Sequence, residues 1–172
     1  EDPNNPGSLG IAISEAIEAV VKSAGKAKYA LGSVLGHVLL HQTINGNEAI
    51  LQMEQAGDYP DIIVGCTGGG SNLAGLMFPF LGQQLRGGQK IDIIGCEPLS
   101  CPSFTKGKYA YDHGDMARMT PLIKMHTLGS DFLPPANHSG GLRYHGMSYH
   151  LSHLYDLGLM RAKAYGQKDC FE

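Results

Sequence analysis

Asp61-Ile62-Ile63-Val64-Gly65-Cys66-Thr67-Gly68-Gly69-Gly70-Ser71-Asn72-Leu73-Ala74-Gly75 is the stretch on which the fold turns. Asp61 to Cys66 is an apolar run of strand length, Thr67 to Gly70 is a glycine hinge, and Leu73 onward has helical composition. Strand, glycine hinge and helix in that order form an anion cradle. Glycines let main-chain N–H groups turn inward with no Cβ in the way. The helix adds free N–H groups and the positive end of its dipole. Ser71 and Asn72 add side-chain donors at the cap, so a small molecule carrying a phosphate is the expected guest. A tight strand-to-helix turn with no ligand is the other reading of the same residues.

Two common phosphate loops do not fit. A Walker-type loop needs Lys and then Ser or Thr after its last glycine, whereas Gly75 is followed by Leu76 and Met77. A dinucleotide loop needs glycine three residues after Gly70, and Leu73 stands there.

Outward from the loop, Ile91 to Cys96 is a second strand of the same kind. Leu73 to Leu85 is the connecting helix, kinked or stopped early by Pro79, and Gly87-Gly88 turns the chain. Strand, helix and strand of these lengths predict a parallel crossover. Strands apolar on both faces predict an α/β fold, an open parallel sheet with helices on both faces. Upstream, Ser8 caps a helix from Leu9 to Ser23. Val34 to Gln42 and Glu48 to Ala56 read as two helices separated by Asn45-Gly46, with Gly57 as the cap of the second. Downstream, Glu97 to Gly141 is poorly patterned, and short helices are expected there because so long a bare loop is rare. Met147 to Leu157 reads as a helix and Arg161 to Tyr165 as a last strand.

At 172 residues the chain suffices for one domain with a core, and residues 1–172 are read as one. Its 24 glycines and low charge suit a loop-rich enzyme. A net charge of −3 without a basic cluster gives nucleic acid no footing. No secretory signal and no apolar run of membrane length is present. Cys66, Cys96, Cys101 and Cys170 form no paired motif. Cys66 and Cys96 end strands expected to be central, where Cys acts as a small hydrophobe. A reducing, cytoplasmic setting is expected.

Gly68-Gly69-Gly70-Ser71-Asn72 resembles the cofactor-phosphate loop of tryptophan synthase β chains, within the fold-type II pyridoxal-phosphate enzymes. Pro6 to Ala16, Leu31 to Gln42, Ile94-Gly95-Cys96-Glu97-Pro98 and Ser139 to Met147 resemble segments of the divergent second type of that chain, in the same order. The resemblance covers nearly the whole sequence. It implies a partial fold-type II fold and a lyase that joins L-serine and indole to give tryptophan and water. It implies that Gly68, Gly69, Gly70, Ser71 and Asn72 hold pyridoxal 5'-phosphate, with Ser8 at a nearby hydroxyl position. The bound ring supplies the electron sink while protein groups position and protonate.

The lysine, the glutamate and the ring-nitrogen serine of that family match positions outside Glu1 to Glu172. A fragment, inactive alone, is therefore expected. Arg143 replaces the aspartate of ordinary β chains and is a candidate substrate contact, since its fork suits a carboxylate or phosphate; an arginine paired to a neighbour is the alternative. By the same resemblance, carbonyls of Thr67, Gly68, Glu97, Leu142, Tyr144 and Gly146 would hold Na⁺ or K⁺. A homodimer and a tryptophan synthase α chain are the implied partners.

His37 and His41 share a helical face, as do His150 and His153, but neither pair has a third ligand at clear spacing, so hydrogen-bonded histidines are expected. Lys124, flanked by Ile123 and Met125, is the lysine with the most apolar context. Two other functions remain open: a serine or threonine dehydratase of the same fold, and a non-catalytic phosphate-ligand module.

Overall fold

A computed structural model describes residues 3–139 and 141–172. Glu1, Asp2 and Gly140, the last of these within the Ser139 to Met147 motif, lie outside the described residues. Among the described residues four helices and five strands follow one another as α1 (Leu9–Lys22), α2 (Gly36–Ala56), β1 (Ile62–Cys66), α3 (Ser71–Leu85), β2 (Asp92–Pro98), β3 (Lys108–His113), β4 (Leu122–Thr127), α4 (Tyr149–Asp156) and β5 (Arg161–Tyr165). A 3-10 turn, Lys168–Cys170, comes last.

The crossover forms as its sequence predicts. β1 and β2 pair in parallel, with Ile63 opposite Ile93 and Cys66 opposite Cys96, and β5 adds in parallel to the other side of β2. One face of this sheet is well covered. Ile63 and Ile93 pack there with Leu73, Met77 and Phe80 of α3 and Leu39 of α2. Successive strand residues point to opposite faces, so Ile62, Val64 and Cys66 look the other way. Ile62 and Val64 are more than half exposed, at 54% and 56%. Cys66 is exposed as well, on an edge strand rather than a buried central one, which corrects its reading as a core hydrophobe.

Asn45-Gly46 does not break a helix. α2 runs through it from Gly36 to Ala56 and ends on Gly57 in the left-handed conformation (φ 68°). Gly46 serves another purpose, the close crossing of α2 over α3. A Cβ on Gly46 would lie 2.6 Å from the Gly75 carbonyl oxygen, and a Cβ on Gly75 would lie 2.5 Å from that of Gln42. Glycine at both positions lets the two backbones touch, a packing role that an isolated helical glycine hides in sequence. α3 likewise continues through Pro79 to Leu85.

The segment expected to hold short helices instead makes an antiparallel hairpin, β3 with β4, in register from Lys108–Thr127 to His113–Leu122. Its strands mix Lys, Asp and His with Tyr, Ile and Met, so no clean alternation marks them. Carboxylates organise its turns. Asp115 is fully buried and accepts from the Ser14 hydroxyl of α1 (2.8 Å), the Thr120 N–H (2.9 Å) and the Thr120 hydroxyl (2.8 Å). Burial works to raise its pKa, but these bonds and one from the Met119 N–H prevail and hold it below the usual carboxylate value.

Candidate functional site

At the top of β1 the Thr67 N–H (2.8 Å) and hydroxyl (3.2 Å) both donate to the Cys96 carbonyl, pinning the strand end to β2. The chain then turns through the three glycines. Gly70, at φ 102°, is the residue before α3, and the first helical bond runs from the Ala74 N–H to its carbonyl (3.0 Å). The N–H groups of Ser71, Asn72 and Leu73 therefore precede any helical partner. Those of Gly68, Gly69 and Gly70 donate to nothing among the described residues. Among the described residues six consecutive amides are thus free at the carboxyl end of a parallel strand, the usual ligand position in open α/β sheets.

The glycines are fixed by what stands beside them. A Cβ on Gly68 would lie 2.7 Å from the Gly141 carbonyl oxygen and 3.3 Å from the Leu142 Cα. A Cβ on Gly69 would lie 2.6 Å from Val34 Cγ2 and would also strike the Ser33 hydroxyl. A Cβ on Gly70 would lie 2.5 Å from Leu151 Cδ1 and 2.9 Å from Met147 Sδ. The loop is thus flanked by the segments leading into α2 and α4. Val34 is buried at φ 94°, a strained setting for a β-branched residue. Ser71 is buried and accepts from Gln42 Nε2 (3.2 Å), while Asn72 is exposed.

Sequence reasoning missed Ser148. Its N–H donates to the Gly69 carbonyl (3.0 Å), and its buried hydroxyl has no partner among the described residues. That hydroxyl lies 3.1 Å from where a Gly70 Cβ would stand. Nothing in the sequence marks it, because Ser148 comes to the loop only through tertiary packing.

Ser8 caps α1, its hydroxyl accepting from the Ile11 N–H (3.2 Å). The Arg143 guanidinium is turned onto main-chain carbonyls. Nη1 donates to Pro6 (3.0 Å), and Nη2 donates to Gly7 (2.9 Å) and Pro134 (3.0 Å). The Leu9 N–H in turn donates to the Arg143 carbonyl (3.3 Å). Arg143 therefore binds the start of α1 to the 142–143 segment, which abuts Gly68.

Of the residues considered for a cation, Gly68 and Leu142 are brought side by side, and the carbonyls of Thr67, Gly68, Leu142, Tyr144 and Gly146 accept no hydrogen bond among the described residues. The carbonyl of Glu97 belongs to β2, while its carboxylate, which is not part of that set, accepts from the Phe104 N–H (2.9 Å), the Thr105 N–H (2.8 Å) and the Thr105 hydroxyl (2.6 Å).

A cavity of about 600 Å³ opens where β1, β2 and β5 end, reaching from Cys66 and Cys96 to Asn137, Ser139, Leu142 and Tyr165. Asn137 Oδ1 and the Ser139 hydroxyl are buried without partners among the described residues. This wall was not foreseen either.

Among the described residues no group of three or more His, Cys, Asp or Glu side chains could hold a metal ion. His37 and His41 meet edge-on with ring centres 6.3 Å apart. His145 and His113 are hydrogen-bonded through ring nitrogens, to the His113 and Thr120 carbonyls respectively. His126 has no such bond among the described residues. It stacks on Tyr109 (4.9 Å) with both nitrogens unpartnered. His150 Nδ1 is unpartnered as well. Burial lowers the pKa of His126, His145 and His150. Every lysine is exposed, and Lys124 lies over the Tyr109 ring (4.3 Å). No helix among the described residues is long and apolar enough to cross a membrane.

No family model matches the chain. It is similar to tryptophan synthase beta chain 2 of Aquifex aeolicus, 57% identical over 175 residues, covering 100% of this chain and 40% of that protein. The like-named proteins of Aeropyrum pernix and Thermotoga maritima are each 56% identical to it, over 171 and 172 residues. Those matches cover 99% and 100% of this chain and 38% and 40% of the relatives. The chain thus spans about two fifths of the length of these relatives. Among solved structures it resembles a T.th. threonine deaminase, with a TM-score of 0.51 and 14% identity over 76% of this chain and 40% of that one. At that identity the likeness is one of fold.

Proposed function

Because this chain is along its whole length a relative of the tryptophan synthase beta chains of the second type, we propose that it forms the cofactor-phosphate half of a pyridoxal-phosphate lyase site. The whole protein would join L-serine and indole into tryptophan, in the cytoplasm, as a homodimer able to dock a tryptophan synthase α chain. The observation that carries this is the row of free amides from Gly68 to Leu73.

The residues fit such a group. Unpaired donors there would be costly if buried for no purpose, and a phosphate dianion satisfies several at once while meeting the α3 dipole. The Ser148 hydroxyl, orphaned beside Gly70, is a further donor in reach of the same loop. When bound, the cofactor would supply an electron sink for carbanion chemistry at the substrate amino acid. The chain's own residues do the holding. Gly68 to Asn72 grip the phosphate, Ser71 is oriented by Gln42, and the Ser8-capped α1 is tied beside Gly68 through Arg143. With its guanidinium committed to three carbonyls, Arg143 shapes this wall and meets substrate only if those bonds open. The free carbonyls of Thr67, Gly68, Leu142, Tyr144 and Gly146 are suited to Na⁺ or K⁺, which would neutralise part of the local negative charge.

Titration of the chain with pyridoxal phosphate, followed by absorbance, tests the site. Binding should be competed by inorganic phosphate and abolished by Gly69→Ala, whose methyl meets Val34 and Ser33. Binding indifferent to both would overturn the assignment. In the whole protein, tryptophan formed from indole and serine supports the β-replacement reaction. Keto-acid release without it would mark a dehydratase instead.

A further inference from the structure

Three of the four cysteines line one cavity. Cys66, Cys96 and Cys170 all open onto the space at the ends of β1, β2 and β5, while Cys101 is buried elsewhere. The first two are more than neighbours. Cys66 and Cys96 are direct partners in the parallel register of β1 and β2. Residues opposite one another in a sheet point to the same face, and adjacent strands lie about 4.8 Å apart. That spacing falls inside the Cα separation of about 4.4–6.8 Å that a disulfide spans, with both Cβ vectors directed the same way. The shared face is the uncovered one, where Cys66 is exposed and Cys96 half-buried. Lys163 of β5 stands next in the same row, opposite Cys96.

We propose that Cys66 and Cys96 form a dithiol site that takes up low-molecular-weight disulfides and closes to an intramolecular disulfide across β1 and β2. The exposed Cys66 thiolate attacks one sulfur of the small disulfide, forming a mixed disulfide and expelling one small thiolate. Cys96 then attacks Cys66 Sγ, forming the Cys66–Cys96 bond and expelling the second. The two protein thiols lose two electrons and two protons, and the small disulfide leaves as two thiols. Burial, together with the nearby Cys66 and Cys170 thiols, pushes the Cys96 thiol up, against a downward pull from Lys163. Cys96 therefore suits the second, intramolecular step better than the first.

The bond would lie at the root of the free-amide loop. Thr67, next to Cys66, already holds the Cys96 carbonyl by two hydrogen bonds. Closure would make that junction covalent and alter the floor of the cavity. None of this requires a bound cofactor.

The native chain is incubated with oxidised glutathione, quenched in acid, and analysed by mass spectrometry before and after digestion. The expected product is the chain less two hydrogens, with one cross-linked peptide joining Cys66 to Cys96. Cys170→Ser should leave that product unchanged, and Cys96→Ser should stop at a glutathione adduct on Cys66. The same treatment in concentrated urea should scatter the pairings, because the strand register is gone. Failure to form an intramolecular bond, or a native product that pairs Cys170 with either partner, would overturn the proposal.

Discussion

From Gly68 to Leu73 the backbone presents amides that no described group answers, whereas from Glu97 to Thr127 the carboxylates are almost saturated. Glu97 closes the turn at Phe104 and Thr105, Asp112 accepts from Thr127 Oγ1 (2.5 Å), and Asp115 gathers α1 and the hairpin turn. One region leaves polar groups open at the end of a rigid strand. The other turns every carboxylate inward to hold irregular chain in place. Free donors amid satisfied surroundings are what a ligand site needs, and buried carboxylates with several donors are what a long connection needs. The same polar chemistry therefore has opposite meanings in the two regions, and substitutions can test whether the division is real.

The largest effect should come from Gly70→Ala. The residue sits at φ 102°, and its new methyl would stand 2.5 Å from Leu151 Cδ1. Left-handed strain and overpacking together predict a loss of about 3 kcal/mol or more, along with loss of phosphate affinity. Urea unfolding and a pyridoxal-phosphate titration would measure the two. A variant that keeps full affinity would mean that the amides of this loop face nothing of consequence.

Asp115→Asn should show the reverse pattern. The amide side chain keeps the shape but weakens bonds from Ser14, Met119 and Thr120, at a cost of about 1–3 kcal/mol. Cofactor-phosphate affinity should stay as it was, because Asp115 touches no part of the loop. If affinity fell in step with stability, the two regions would be one cooperative unit and the contrast would fail. The wild-type carboxylate also sets an acid limit. Its folded pKa lies below the ordinary 3.8, so its contribution is present above that value and is lost as pH falls through the lower folded one. In the Asn variant, stability should change less across that acid range.

These regions also differ in how much the sequence disclosed. β1, the glycine turn, α3 and β2 are legible because apolar runs and glycine breaks are local signals, and the parallel pairing follows from their spacing. α1 with its Ser8 cap and α2 with its Gly57 cap are legible for the same reason. Gly46 misled because its use is tertiary: it lets α3 approach, and nothing in its neighbours says so. The β3–β4 hairpin was hidden because Asp112, Asp115 and Glu97 organise it through partners that only folding brings near. The candidate site divides likewise. The Gly68 to Asn72 loop was evident, whereas Ser148 and the Asn137–Ser139 wall arrive from distant sequence.

A smaller effect should come from acidification toward pH 5.5. Burial lowers the folded pKa of His126, His145 and His150 below the ordinary 6.5. Between the two values the unfolded chain binds protons that the folded chain refuses, so stability is full above 6.5 and declines as pH falls below it. His126 isolates this term within the hairpin region. Its ring lies among Tyr109, Phe104 and Tyr155, with both nitrogens unpartnered. His126→Phe removes an orphaned polar group and adds some volume, opposing changes that should leave stability within about 1 kcal/mol at neutral pH. It also removes a titrating site, so the loss of stability between pH 7.5 and 5.5 should be shallower than in the parent chain, as read from urea midpoints. An equally steep loss would place the acid sensitivity with His145 and His150. Those two flank the segment beside Gly70, so protons rather than substitutions would then be what joins the satisfied region to the open one.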